Sequence, residues 1–64
     1  MLKNFGVKEE GTDEWVTNLS PLELGSEDTA TLYTEAEAMG VAAYLTQNEG
    51  VPFSVGRPGD RHPK

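Results

Sequence analysis

Cysteine is absent from the 64 residues, so neither a disulfide nor a thiolate zinc site can staple the fold. Histidine occurs once, at His62. A single imidazole is a poor basis for a metal site, and in a tail that nothing positions it leaves serine and threonine hydroxyls without a general base. Long apolar runs are also missing. The longest, Val41-Ala42-Ala43-Tyr44-Leu45, is far short of the ~20 residues that span a bilayer. Met1–Gly6 lacks the apolar core of a secretory leader. These absences set the expectations: no cofactor, no metal, no membrane, no catalytic residues and no enzymatic activity, in a cytoplasmic location.

Basic residues are scarce as well, five against eleven acids, for a net charge of −6. The imbalance is concentrated. Residues 1–56 hold Lys3 and Lys8 against ten acids, whereas 57–64 hold Arg57, Arg61 and Lys64 against Asp60. Such an acidic body is repelled by nucleic acid and anionic membranes. Direct nucleic-acid binding is therefore not expected, and partners should present basic or apolar surfaces. Charge of this kind also serves plain solubility. A chain this short buries only about 60% of its unfolded surface. Small scaffolds often gain stability by self-association, so a homodimer is expected as readily as a monomer.

What is present is a helix with both ends written. Thr34 and Glu37 form a capping-box pair, and Gly50 suits the left-handed residue that ends a helix. Over about 35–48, Ala38, Val41, Ala42 and Leu45 fall on one stripe, the expected core face. Met39, Ala43 and Tyr44 flank it. Gly40 costs about 1 kcal/mol relative to alanine there, which suggests close packing.

Alternation predicts a strand over 2–8, with Phe5 and Val7 on one face and Gly6 as a weak point or bulge. A hairpin loop over 9–13 follows, then a strand over 14–19 that places Trp15, Thr17 and Leu19 together. Ser20-Pro21-Leu22-Glu23-Leu24-Gly25 repeats the S-x-x-E pattern with proline in the first helical position, and reads as a helical turn or structured loop. Thr29–Tyr33 reads as a third strand. Val51–Val55 reads as the last, either an edge strand or one whose proline faces outward, because Pro52 cannot donate to a ladder. The expected fold class is α+β: a small, three- to four-stranded, mainly antiparallel sheet with one helix packed on one face, in the order β-β-β-α-β. One domain spans 1–56, and 57–64 is an expected disordered tail.

Candidate sites follow from what the helix cannot cover. Glu9, Glu10, Asp13 and Glu14 cluster at the hairpin tip. Calcium prefers oxygen ligands, but the loop does not match the EF-hand pattern, and a charged tip that discourages edge association is the simpler reading. The same acids, with Glu23, Glu27, Asp28, Glu35 and Glu37, raise nucleic-acid mimicry, although acids in a helix's first turn are favoured by its dipole. Phe5 and Phe53 suit the core. Trp15, Tyr33 and Tyr44 are the candidate protein-contact residues, because aromatics on the sheet face away from the helix would be exposed, and exposed aromatic patches mark interfaces.

Gly11-Thr12-Asp13-Glu14-Trp15-Val16-Thr17-Asn18-Leu19, together with Asp28-Thr29-Ala30-Thr31-Leu32-Tyr33-Thr34-Glu35-Ala36-Glu37-Ala38, resembles small uncharacterised accessory proteins of bacteriophages and prophages, especially of Gram-positive bacteria. The likeness is one of pattern over about residues 5–55 and carries no catalytic signature. It implies a phage accessory protein acting in the bacterial host cytoplasm on a host or phage protein. The expected function is a non-enzymatic protein-interaction module. The alternatives are an acidic mimic that blocks a nucleic-acid-binding protein, and a self-associating structural or assembly protein.

Overall fold

The computed structural model describes residues 2–59; Met1 and residues 60–64, including His62, lie outside that description. Strand β1 (Gly6–Glu9), β2 (Trp15–Leu19) and β3 (Leu22–Gly25) are followed by a short 3-10 turn (Glu27–Thr29), helix α1 (Glu35–Glu49) and β4 (Phe53–Gly56). The four strands form one antiparallel sheet in the order β3-β2-β1-β4. It is a small α+β fold with one helix, which packs mainly on β4 and β1.

α1 forms where its local signals place it. Thr34 Oγ1 accepts from the Glu37 N–H at 3.2 Å, and Glu37 Oε1 accepts from the Thr34 N–H at 3.1 Å. At the far end Gly50 adopts φ 77°, the left-handed conformation that only glycine takes without strain. Ala38, Ala42 and Leu45 are buried against Val7, Val16 and Phe53, with Val41 half-buried beside them. Alanines at two of these positions let the helix lie close to the sheet. Gly40 does not serve that purpose: it is exposed, and a Cβ built there meets nothing within 4 Å.

The cap also fixes a pH dependence. The Thr34 backbone hydrogen bond, with a smaller contribution from Lys3, holds the Glu37 carboxyl below its ordinary value. A depressed folded-state value stabilises the fold above the unfolded value, and that stability is lost as pH falls through the folded one. Thr34→Ala is expected to cost about 1 kcal/mol, whereas Glu37→Gln, which removes the titrating carboxyl and keeps an acceptor for the Thr34 N–H, is expected to flatten the acid limb of a plot of melting temperature against pH. An unchanged limb would remove the cap from the stability account.

β1 begins at Gly6, four residues later than expected, with Phe5 joined by an isolated bridge to Tyr33, and two further elements differ from expectation. Leu22–Gly25 is a strand rather than a helical turn or a structured loop: the chain reverses at Ser20-Pro21, whose peptide bond is cis, and pairs antiparallel along β2. Leu22 and Leu24 pack against the edge of the core. Thr29–Tyr33 is not a regular strand. Tyr33 exchanges backbone hydrogen bonds with Phe5, at 3.0 and 2.7 Å, while the Thr31 N–H and Oγ1 donate to the carbonyls of Val16 and Thr17. The segment thus bonds to both the start of β1 and the body of β2. Between β1 and β2 themselves, only Lys8 and Trp15 are paired as ladder partners. The last strand begins at Phe53, two residues later than expected, and lies at a sheet edge as Pro52 indicated.

Candidate interaction surface

The helix-free face of the sheet is where exposed aromatics were expected, and Trp15 does not fit that expectation. Only 8% of its surface is exposed. The β1–β4 register sets Gly6 opposite Gly56, which leaves a floor without side chains, and the indole lies over it. A Cβ on Gly6 would stand 3.0 Å from Trp15 Cε3 and 2.9 Å from Pro58 Cγ, and a Cβ on Gly56 would stand 3.1 Å from Trp15 Cη2. Lys8 Nζ sits 5.9 Å from the Trp15 ring centroid. Trp15 is therefore a second, smaller core on the face the helix does not reach, and its aromatic surface is spent on packing.

The start of the tail takes part in this. Arg57 lies 5.7 Å from the Phe5 ring centroid, Pro58 borders Gly6, and the Gly59 N–H donates to a Glu27 carboxylate oxygen. Residues 57–59 are thus packed on the body rather than apart from it; the rest of the expected disordered tail lies outside the described residues.

Tyr33 and Tyr44 come together on the opposite flank. With Leu32, Gly40 and Val41 they line a shallow depression between α1 and the 30–33 segment, bordered by Lys3 and Glu37. Tyr44 is 60% exposed and Leu32 46%, whereas Tyr33 is half-buried. Burial, and then the charge of Glu37, raise the Tyr33 hydroxyl above its ordinary value, so this phenol stays neutral and can donate a hydrogen bond across the physiological range. Lys3 and Glu37 approach to 3.8 Å at the rim. Leu32 and Gly40 are among the lining residues that sequence reasoning missed. Gly40 leaves the wall open by having no side chain, and the signal was its place one turn before Tyr44.

The acidic tip is built by backbone turns. Thr12 donates through N–H and Oγ1 to the Glu9 carbonyl, and its Oγ1 accepts from the Glu14 N–H at 3.1 Å. Gly11 holds φ 82°. Glu10, Asp13 and Glu14 are exposed and Glu9 is half-buried. Because β1 and β2 are the inner strands, this tip does not guard a sheet edge, contrary to the simpler reading of its charge. Among the described residues no three of histidine, aspartate and glutamate stand close enough to hold a metal ion, and no helix is long and apolar enough to cross a membrane.

Comparison with family models, with curated proteins and with solved structures finds no match for this chain.

Proposed function

We propose that this chain is a non-enzymatic protein-interaction module that docks a protein partner in the Leu32–Tyr33–Tyr44 depression. The observation that carries the reading is the exposure of Leu32 and Tyr44 around an open floor at Gly40. An apolar patch with a polar rim is the usual form of a docking site, and tyrosine is enriched among the residues that dominate binding energy. Glu27 and Asp28 border Leu32 on its other side, and Glu37 borders Tyr44. The complementary partner presents an apolar side chain within a basic surface. The setting, a phage or prophage accessory protein acting in a bacterial cytoplasm, is proposed on the residue pattern over 5–55.

Affinity capture from a bacterial lysate, followed by a titration with the captured protein, tests this. Tyr44→Ala combined with Leu32→Ala is expected to weaken binding by about 30-fold, as a hot-spot truncation does, while leaving the far-UV circular dichroism spectrum unchanged. Equal affinity of variant and wild type would sink the proposal. Affinity that survives the double substitution but collapses with salt would favour the nucleic-acid mimic instead.

A further inference from the structure

The chain between the 3-10 turn and α1 is extended without forming a strand of the sheet. Ala30 and Thr34, at its two ends, hold φ/ψ of −62°/140° and −70°/166°. Between them the Thr31 N–H donates to the Val16 carbonyl at 3.0 Å, and Tyr33 exchanges both its backbone groups with Phe5. In extended backbone, successive residues turn their N–H and C=O groups to opposite sides. Thr31 and Tyr33 turn theirs to the sheet, so those of Leu32 point away from it. Among the described residues neither the Leu32 N–H nor its carbonyl has a hydrogen-bond partner, and the residue is exposed. This is a strand edge one residue long, with a donor and an acceptor side by side.

What flanks that edge is equally specific. Side chains of an extended segment alternate between two faces. Thr31 and Tyr33 line the depression that Gly40 and Tyr44 complete on the helix side. Ala30 lines a second depression, with Asp28 and Pro58. Leu32 is the residue the two depressions share. Asp28 is exposed. A hydrogen bond from the Ser26 hydroxyl, at 2.6 Å, holds its carboxyl below the ordinary value, so it stays an anion. One side of Leu32 is thus aromatic and open, and the other is acidic.

We propose that the occupant of this site is an extended segment of the partner protein, added antiparallel along Leu32, with an arginine or lysine between two apolar residues. The basic residue stands opposite Leu32. Its N–H donates to the Leu32 carbonyl, and its carbonyl accepts from the Leu32 N–H. Directly opposed residues share a face, so its aliphatic stem lies on Leu32 and its cation reaches Asp28. The residues before and after it point to the other face, between Tyr33 and Tyr44, where Gly40 leaves room by having no side chain. Recognition of this kind takes affinity from main-chain hydrogen bonds and specificity from alternate side chains. The proposal rests on the docking reading above and adds the form of the partner.

Two observations select such a segment over other occupants. A helix bonds its own backbone groups internally, so it leaves both Leu32 groups unmet, and it does not send neighbouring side chains to the two faces that Leu32 divides. A second copy of this chain lacks the charge. Lys3, Lys8 and Arg57, the cations among the described residues, are engaged with Glu37, Trp15 and Phe5. Asp28 requires a cation from elsewhere.

An NMR titration of the full, nitrogen-labelled chain with the blocked pentapeptide acetyl-Thr-Val-Arg-Val-Thr-amide tests the mode. At millimolar peptide the Leu32 amide is expected to shift downfield and to gain protection from exchange, with Tyr33 and Tyr44 shifting alongside. The same peptide N-methylated at its arginine keeps every side chain and loses the donor to the Leu32 carbonyl. It is expected to bind at least ~10-fold more weakly. Asp28→Asn is expected to weaken the parent peptide about 3-fold. No shift at Leu32, equal binding of the N-methylated peptide, or shifts centred on β3 or β4 instead would each overturn the strand mode. The double variant Tyr44→Ala with Leu32→Ala separates the two readings. If it releases the captured protein while the wild type ignores the peptide, the depression docks something other than an extended segment, and only the strand mode falls. If the captured protein stays bound to it, the docking reading falls and the strand mode with it.

Discussion

Trp15→Ala is expected to bring the domain to the edge of unfolding rather than to remove a binding contact. Truncating a buried tryptophan typically costs about 3–5 kcal/mol. A 64-residue domain has roughly 3–10 kcal/mol of total stability at the usual per-residue values. The cavity cannot close easily, because Gly6 and Gly56 beneath the indole have no side chains to fill it, and Pro58 would lose its neighbour as well. Urea denaturation of wild type and variant at one protein concentration measures the effect, the fixed concentration being needed because self-association shifts apparent stability. An unchanged midpoint would show that Trp15 is dispensable to the fold and would restore it as a candidate contact residue.

Leu45→Ala should cost about 2–5 kcal/mol, from the other face of the sheet. Leu45 is 2% exposed and is among the largest fully buried side chains, together with Val7 and Val16. The alanines at 38 and 42 leave α1 little else with which to grip the sheet, so the loss falls on one anchor. Loss of helical circular dichroism together with loss of the tryptophan environment is the expected result, since one cooperative unit carries both faces. A variant that kept a native melting profile would mean that Val41 and Phe53 hold the helix without it.

The comparison of these two residues shows what a single chain discloses about its fold. Leu45 was legible because its signals are local: a cap, a stop and a stripe all within one helix. Trp15 was not. Its burial depends on two glycines fifty positions apart, Gly6 and Gly56, which become one floor only through the β1–β4 register. Leu22–Gly25 was misread for a related reason. Its S-x-x-E start with proline imitates a helix N-terminus, and pairing with β2 overrides that local preference. Thr29–Tyr33 has the composition of a strand, but its hydrogen bonds are divided between Phe5 and β2, so it never forms a ladder of its own.

The candidate site shows the same division. Tyr44 was readable as a helix flank, and Tyr33 as an aromatic just before the cap. Their meeting around Gly40 required the fold.

The pairing of Gly6 with Gly56 also brings together the two places where the chain enters and leaves the sheet. Points so close can be joined to the two sides of a surface loop in another protein without stretching either chain, the property that makes domains insertable. As a building block, this fold behaves like a plug with both wires on one side, and it leaves the acidic hairpin, at the other end of β1, turned away from the attachment.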